Sequence, residues 1–568
     1  MDPGRKEDLT QDQKAFPPNS NASGGGMIGD DAHGSESVAR DENTNNDAAN
    51  TAANGAVDIE KASASSASSA MQPAQPTVSS TTSRRRSSIS RIPSRQPSIS
   101  PPKSLPREIV FIALITTSQL LTQSALAISI TPLRSIGSTF SVSSSPGDLS
   151  WFAAAYSLTV GSFILAAGQL GDLLGHKRVF LAGYAWFAVW SVVTGLSAYS
   201  EAVVFFDFCR AMQGIGPAVL LPTALAILGR TYQNGRRKEM VFAVFGAAAP
   251  NGFLVGAVFS GLLTERLWWP WAYWILGIFC VLCLIVGWAV IPKEVDAGRE
   301  GSWRDFDWKG CLVGVAGLVL FNVAWNQAPI VGWQTPYVIV LLILGLLFFG
   351  VFGLVEKRVR RPLLPLSGLS PKAGFVLGCV ALGWSSFGIW LYYFWQFLGN
   401  LRGYSPLSIT AQASPSGISG AIAALLTGYM LSRIRTAYIM VMAMVGFCVG
   451  NVLLATMPVD QTYWIQAFLA VVITPFGMDL SFPAATIILS DAVSKEHQGI
   501  AASLVATVVN YSISIGLGIA GTIEAHVSDE GRDLLKGYRG AWYAAIGLSG
   551  CGILLSMIFV LHTVRRAS

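Results

Sequence analysis

The chain has 568 residues and a net charge of +6, and 52% of its residues are hydrophobic while only 13% are charged. A soluble globular domain carries about 25% charged residues, so this composition argues against a soluble protein and indicates a polytopic membrane protein. The positive charge does not indicate nucleic-acid binding, because many of the basic residues lie in short loops between long apolar runs.

The first 105 residues are rich in Ser, Ala, Asn and Gly and show no apolar periodicity. Such a segment cannot bury enough surface to offset its conformational entropy, so we expect a disordered cytoplasmic tail over residues 1–105. Its arginine cluster lies near the first span, and Ser88, Ser94 and Ser98 each follow an arginine by two or three residues. Phosphorylation of these serines would cancel the local positive charge and release an anionic-lipid contact. The alternative is an inert basic tail that only fixes orientation.

Fourteen apolar segments follow the tail, each long enough for the roughly 20 residues that a bilayer crossing needs. They cover residues 107–131, 148–170, 178–198, 201–228, 238–264, 271–292, 308–327, 336–355, 373–398, 412–432, 436–457, 461–490, 500–522 and 540–563. With the N-terminus inside, twenty basic residues fall in the inner loops and C-terminal tail and six in the outer loops. This bias follows the positive-inside rule, so the sequence predicts an all-α membrane protein with fourteen transmembrane helices and both termini in the cytoplasm.

The inner loop after the second span reads GQLGDLLGHKRVFL. Its glycines allow two helices to approach closely, and Asp172 can accept hydrogen bonds from a neighbouring helix or pair with a basic residue. This stretch resembles the loop 2–3 signature of the major facilitator superfamily. The matching residues are Gly168, Leu170, Asp172, Gly175 and Lys177. The resemblance implies a gating loop, but Leu173 and His176 stand where arginines are common, which predicts a weaker charge relay.

The fourth span contains FCRAMQGIGPAVLLP, which resembles a second signature of the same superfamily. The residues that carry this resemblance are Arg210, Gln213, Gly214 and Gly216. A guanidinium within a bilayer needs a partner or a wet cavity. The resemblance implies that Arg210 lines the cavity and modulates proton affinity nearby. The alternative is a structural pair with Asp207, which lies one helical turn earlier.

The fifth span corresponds to the antiporter signature of the superfamily and reads GFLVGAVFSG. Gly252, Gly256 and Gly261 fit the signature, whereas Ala257 replaces its proline and Ser260 replaces a glycine. Small residues four positions apart favour close helix packing whatever the direction of transport. The departures weaken the expectation of export by the usual antiport route.

An arrangement of six, two and six spans is similar to the fourteen-span drug:proton antiporter family, with Asp307 and Gly310 opening the inserted pair. Spans one and twelve most resemble the fungal aminotriazole-resistance, boron-efflux and low-affinity ammonium transporters. The resemblance implies a major facilitator fold with a six-helix half over 106–292, an inserted helix pair with its loops over 293–360, and a second six-helix half over 361–568.

The resemblance further implies that spans one, four, nine and twelve line a central cavity. The candidate cavity residues are Gln119 and Gln123 on span one, Arg210 on span four, Trp384, Trp390, Tyr393 and Gln396 on span nine, and Asp479 on span twelve. Gln123 stands where many members of the antiporter family have an aspartate, so the coupling acid, if there is one, must lie elsewhere. The aromatic residues could stack on a substrate or make cation–π contacts, but they could equally serve in packing.

Asp479 is the one acid that the sequence puts deep inside a span. Asp207 and Asp491 lie nearer the ends of predicted spans, and Glu524 lies just beyond span thirteen. An ionisable residue within the membrane is a functional hypothesis, so Asp479 could bind a proton, a cationic substrate or both. In the alternative, a protonated Asp479 holds backbone that Pro475 or Pro483 leaves unpaired.

The leading functional hypothesis is a secondary-active transporter that uses the proton gradient to export a small toxic or secondary-metabolite compound. The chain has no Walker A loop, so ATP is not the expected energy source. The alternatives are low-affinity transport of ammonium or another small polar solute and, third, a non-transporting nutrient receptor. No nucleophile–base pair or metal-ligand cluster is visible, so neither an enzyme nor a bound cofactor or metal is expected. We expect a monomer, in the plasma membrane rather than the vacuole.

Overall fold

The computed structural model describes residues 104–143, 145–232, 235–292, 306–359, 362–364, 371–491, 498–529 and 532–565. Within these ranges the chain is helical and contains no β-strand. The arginine cluster of the tail and the serines at 88, 94 and 98 lie outside the described residues.

Sixteen α-helices make up most of the described chain. They are α1 (Leu105–Ile130), α2 (Leu133–Thr139), α3 (Pro146–Leu174), α4 (His176–Leu196), α5 (Val203–Thr231), α6 (Arg236–Arg266), α7 (Pro270–Val290), α8 (Trp308–Val331), α9 (Pro336–Glu356), α10 (Pro371–Gln396), α11 (Pro406–Ala413), α12 (Pro415–Leu431), α13 (Thr436–Ala455), α14 (Gln466–Asp491), α15 (Gln498–Val527) and α16 (Leu534–Arg565). Several of them begin at a proline, which suits the first helical turn because its missing N–H needs no acceptor there.

Thirteen helices of the described chain are long and apolar enough to cross a membrane, and they correspond to all of the predicted spans except the tenth. The predicted tenth span, 412–432, is divided between α11 and α12, and α12 has 17 residues. Pro415 has no backbone N–H to continue the preceding helix, so a new helix begins there. A length of 17 residues lies at the lower end of the bilayer-crossing range, so α12 completes the fourteen-span arrangement.

The two six-span halves meet along two seams. Helix α3 of the first half packs along α15 of the second, and α6 packs against α11 and α12. The inserted pair lies at the first seam, because α8 contacts both α3 and α15 while α9 packs on α8. The seam between α6 and α12 is therefore the one without an inserted helix against it in the described structure.

A buried polar cluster fixes α8 at the α3–α15 seam. The Asn322 side-chain oxygen lies 2.8 Å from the Ser514 hydroxyl of α15 and accepts a second hydrogen bond of 2.8 Å from Asn326. The Ser514 hydroxyl also lies 3.0 Å from the Ala154 carbonyl of α3. These three polar side chains are fully buried, so their hydrogen bonds join three helices inside the membrane.

Helix α12 touches the middle of α6, and two glycines nearer the predicted cytoplasmic ends of these helices have no described neighbour. A Cβ on Gly420 of α12 would lie 3.3 Å from the Pro250 ring of α6. Gly246 lies one turn from Pro250 toward the inner end, and Gly428 lies about two turns from Gly420 toward the same end. A Cβ at either glycine would meet no other described atom within 4 Å. No described atom therefore packs against these two glycines near the inner ends of α6 and α12.

The outer ends of the two halves are joined by hydrogen bonds. Glu265, at the end of α6, accepts a bond of 3.0 Å from the Leu407 backbone N–H of α11. Arg134 of α2 donates a bond of 3.2 Å to the Gly399 carbonyl. Gly399 belongs to a π-helical turn, Phe397–Leu401, that ends α10. The outer face is thus closed on both sides of α10 and α11.

Candidate functional site

Asp479 lies at the midpoint of α14, which packs against α12. Its carboxylate oxygen Oδ2 is shielded from solvent and has no hydrogen-bond partner among the described residues. A Cβ on Gly420 would lie 3.3 Å from this oxygen and equally close to Pro250 of α6. The carboxylate therefore lies where α12 and α14 of the second half meet α6 of the first. An unpaired charge in such a position is costly, so the group holds a proton or receives a cationic ligand.

The structural alternative for Asp479 rests on two prolines of α14. Pro475 and Pro483 each leave a backbone carbonyl of the preceding turn without its helical donor. The side chain of Asp479 makes no hydrogen bond or ion pair with any described residue. No contact in the described structure therefore supports the role of holding freed backbone.

Gln119 and Gln123 lie one turn apart on α1 and are both half-buried. Their neighbours on the helix, Ser118 and Thr122, are buried and donate to backbone carbonyls of α1. Neither glutamine amide is hydrogen-bonded to another described residue. Both amides thus remain available to a polar ligand that reaches α1.

Arg210 is fully enclosed, with 0% of its surface exposed, in the outer third of α5. Its Nε donates to the Phe152 carbonyl of α3 at 3.0 Å, and one terminal nitrogen donates to Ser129 of α1 at 3.1 Å. The other terminal nitrogen donates to Gln213, whose amide donates to Ser191 of α4 at 2.8 Å. The guanidinium thus joins four helices of the first half.

The charge of Arg210 is surrounded by aromatic rings and by polar groups that accept its hydrogen bonds. The guanidinium carbon lies 4.5 Å from the ring centre of Tyr156 and 5.7 Å from that of Tyr273, which are cation–π distances. The alternative of an Asp207–Arg210 ion pair is not formed, and one Asp207 carboxylate oxygen is buried without a hydrogen-bond partner in the described structure. The structure does not bring Arg210 to Asp479 either.

Trp384 and Trp390 of α10 are buried in the second half. The Trp384 indole donates a hydrogen bond of 3.1 Å to Ser481 of α14, two residues from Asp479. Trp390 stacks on Phe394 with ring centres 5.4 Å apart. Both tryptophans pack inside the half, and Trp384 connects α10 to the segment of α14 that carries Asp479.

Tyr393 and Gln396 lie near the outer end of α10. The Tyr393 hydroxyl donates a hydrogen bond of 2.7 Å to Glu524 of α15. The Gln396 amide donates to the Tyr392 hydroxyl at 3.3 Å and accepts a bond of 3.3 Å from Asn400. The prediction that Glu524 lies beyond span thirteen is wrong, because α15 continues past it and buries its side chain to 3% exposure.

Asp172 of the predicted gating loop lies beside two basic side chains. It accepts a hydrogen bond of 2.7 Å from Arg230, at the end of α5, and its carboxylate lies 3.3 Å from the His176 ring. The positive charge at this carboxylate therefore comes from α5. The pair is exposed, with 64% of the Asp172 side chain accessible, so its contribution to stability is less than about 1 kcal/mol.

Other residues of the loop region contact α7 and α15. Gly175 adopts φ +90°, which favours glycine, where α3 ends and α4 begins. Lys177 donates to the Trp288 carbonyl near the end of α7 at 2.9 Å. Gly168 faces α15, since a Cβ there would lie 3.5 Å from the Ser503 hydroxyl. The loop thus lies beside the seam between the halves.

The antiporter-like glycines of α6 face two different helices. Gly252, Gly256 and Ser260 lie four residues apart and face α1. Ser124 of α1 donates a hydrogen bond of 2.7 Å to the Gly252 carbonyl, and a Cβ on Gly256 would lie 2.5 Å from the Ser124 Cα. Gly261 instead faces α11. The row that faces α1 therefore includes Ser260, which replaces a glycine of the family signature.

Two neighbours of Asp479 and a second buried acid were not predicted. Gly420 and Pro250 confine the Asp479 carboxylate from α12 and α6. The sequence offered a signal for both. A small residue inside an apolar span indicates a close approach of helices, and a proline there indicates unpaired backbone. Glu524 was missed because its span was predicted to end at residue 522.

A bundle of membrane-crossing helices in two halves, with an unpaired acid at their junction, is typical of a secondary transporter. A sequence profile of the Major Facilitator Superfamily matches residues 112–391 and 373–568. The chain therefore belongs to the major facilitator superfamily and is a multi-pass membrane transporter.

Known relatives agree with this assignment. The chain is 54% identical to a low affinity ammonium transporter of Saccharomyces cerevisiae, over 82% of the chain and 91% of the relative. It is 47% identical to the efflux pump terJ of Aspergillus terreus, over 82% of the chain and 90% of the relative. These relatives confirm the resemblance to fungal major facilitator transporters.

Among solved structures, the fold is similar to that of a POT family transporter in complex with 5-aminolevulinic acid. The TM-score is 0.58 at 12% identity, and the match covers 80% of this chain and 96% of the other. At this identity the likeness concerns the fold alone, and it confirms the predicted major facilitator architecture.

Proposed function

We propose that the protein is a proton-coupled exporter of small toxic or secondary-metabolite compounds, and that Asp479 carries the proton. The observation that carries this proposal is the unpaired Asp479 carboxylate beside Gly420 and Pro250, at the junction of the two halves. A carboxylate without a resident cation is stable in the membrane only when it binds a proton or a ligand. It can therefore alternate between the two.

The unpacked glycines near the inner ends of α6 and α12 support loading from the inner side. The two helices touch beside Asp479, whereas Gly246 and Gly428 have no described atom packed against them. Asp479 releases its proton to the inner side, and the resulting carboxylate attracts a cationic or polar compound that the amides of Gln119 and Gln123 help to hold. When the outer face opens, the compound leaves and an external proton takes its place, so export follows the proton gradient.

A second candidate function is low-affinity transport of ammonium or another small polar solute. The relative that is 54% identical is a low affinity ammonium transporter. A carboxylate with no resident cation also suits a small cation, and Gln123 replaces an acid common in antiporters. In either function we propose a monomer, because one chain supplies both halves of the junction, and we also propose the plasma membrane as its location.

The two functions and the role of Asp479 are separated by one set of measurements in transporter-deficient yeast. Wild type, Asp479→Asn and the control Asp529→Asn, which changes a carboxylate that is 72% exposed on an outer loop, are assayed over a range of external pH. The assays are growth on a panel of toxic compounds and uptake of an ammonium analogue.

The exporter function is supported if export depends on external pH in wild type and in Asp529→Asn, and if Asp479→Asn loses that dependence. Analogue uptake without resistance to any compound favours the ammonium function. An Asp479→Asn variant that equals wild type in every active assay overturns the role of Asp479.

A further inference from the structure

Glu524 is a second acid enclosed in the membrane part of the protein, on the outer side of the second half. Its side chain is 3% exposed in α15, and it accepts a hydrogen bond of 2.7 Å from Tyr393 of α10. It forms no ion pair with any described residue. A charged carboxylate without a cation is strongly disfavoured at such a site, so Glu524 carries a proton in this closed arrangement.

The groups that face Glu524 come from two helices and are neutral phenols. Tyr392 and Tyr393 of α10 contact each other edge to face at 5.1 Å, and Tyr538 of α16 contacts Tyr393 at 5.6 Å. Basic residues at this end of the protein include Arg134, Lys536 and Arg539, and none of them forms an ion pair with Glu524 in the described structure.

The surroundings of Glu524 add no charged partner either. On its own helix, His526 is exposed and bonds to the Thr522 carbonyl. On the face toward the inserted pair, Gly521 meets the Pro329 ring of α8. The proton on Glu524 thus has no competing cation in the described surroundings.

The Glu524 cluster is connected to the contact that closes the outer face. The Tyr538 hydroxyl accepts a hydrogen bond of 2.6 Å from Asn400. Asn400 lies in the π-helical turn Phe397–Leu401, and the carbonyl of Gly399 in the same turn accepts the hydrogen bond from Arg134 of the first half. Turns of this kind are frequent at functional sites. A change at Glu524 therefore reaches the junction of the halves through Tyr393, Tyr538 and one turn of backbone.

We propose that Glu524 is a second proton-binding site, which exchanges its proton with the external medium when the outer face opens. Loss of the proton leaves a carboxylate that needs water, so deprotonation favours separation of the turn from Arg134. Proton uptake from outside neutralises the group and favours closure. The transferred species is one proton, from hydronium outside to the Glu524 carboxylate. This inference rests on the proposed proton coupling, to which it adds the step that closes the outer face.

The test compares Glu524→Gln with wild type, using Tyr404→Phe as a control, which removes the hydroxyl of an exposed outer-loop side chain and keeps the backbone hydrogen bond from Tyr404 to Leu398. Infrared difference spectra of the purified protein, recorded through a pH titration, count protonated carboxyl groups without any need for transport. Glu524→Gln is expected to remove one carboxyl band that Asp479→Asn leaves in place. In yeast or proteoliposomes, Glu524→Gln is expected to flatten the dependence of flux on external pH, while the control keeps it.

The outcomes separate this inference from the proposed function. If wild-type flux does not respond to protons, proton coupling fails, and the infrared band still decides whether Glu524 binds a proton. If Glu524→Gln keeps both the band and the wild-type pH profile, the second site is refuted. Tyr393→Phe, which removes only the hydroxyl donor, provides a milder variant should Glu524→Gln fold poorly. It is expected to displace the pH profile, and an unchanged profile in a folded variant also refutes the site.

Discussion

Substitution of Gly256 by alanine tests whether the close contact between α1 and α6 is essential to the fold. A Cβ at this position would lie 2.5 Å from both the Cα and the carbonyl oxygen of Ser124. Carbon atoms pack at about 3.5–4.0 Å, so the two helices would have to separate by about 1 Å. The obstacle is backbone, which cannot move aside as a side chain can.

The magnitude follows from three contributions. Overpacking of this kind destabilises by about 1–3 kcal/mol. Separation of the helices also lengthens the hydrogen bonds from Ser124 to the Gly252 carbonyl and from Ser260 to the Ile128 carbonyl, each worth about 0.6 kcal/mol in a membrane protein. The greater helix propensity of alanine returns up to about 1 kcal/mol. The expected net loss for Gly256→Ala is about 1–3 kcal/mol.

Gly246→Ala is the matched control, because the same change is made in the same helix at a position with open space within 4 Å. It is expected to be neutral or to stabilise by up to about 1 kcal/mol. Both variants are compared with wild type by thermal unfolding of the purified protein in detergent. Equal stability of the two variants would refute the argument that backbone contact at Gly256 holds α6 against α1.

Two further substitutions test buried polar contacts. Arg210→Lys keeps the charge but not the planar set of donors, so it is expected to lower stability by about 2–5 kcal/mol in thermal unfolding. A stability within about 0.5 kcal/mol of wild type would contradict the inference that the guanidinium holds four helices together. Asn322→Ala removes the hydrogen bonds to Ser514 and Asn326, so it is expected to lower the free energy of unfolding by about 1–2 kcal/mol. Its control is Gln327→Ala, which changes a half-buried amide on the same helix and is expected to have little effect in the same assay.

The spans were predictable because hydropathy and the positive-inside bias report directly on the bilayer. The departures have local causes. Pro415 divides the tenth span, although its apolar composition is continuous with α11. Glu524 was excluded from span thirteen because about 20 residues suffice to cross a bilayer, whereas α15 has 30 residues. A length criterion cannot show how far a helix continues when neighbouring helices bury its polar end.

The relation between Arg210 and Asp479 could not be read from helix assignment alone. Both residues lie on helices that the superfamily resemblance predicts to line a cavity. Arg210 is seven residues into α5 and Asp479 is thirteen residues into α14, and both helices run from the outer to the inner side. At about 1.5 Å per residue, and counted from the outer ends of the two helices, Asp479 is about 9 Å deeper than Arg210. The difference in depth agrees with the separate partners that the structure gives the two residues.

The position of the inserted pair explains why the candidate site lies at only one seam. Helix α8 is bonded to α15 through Asn322 and Ser514, and a Cβ on Gly147 of α3 would meet the Ile330 side chain of α8 at 2.5 Å. The α3–α15 seam is thereby held from outside along much of its length. The α6–α12 seam has no such support in the described chain, the glycines near its inner end have no described neighbour, and it passes Asp479. An opening movement meets the least packing resistance at the seam where the unpaired acid lies.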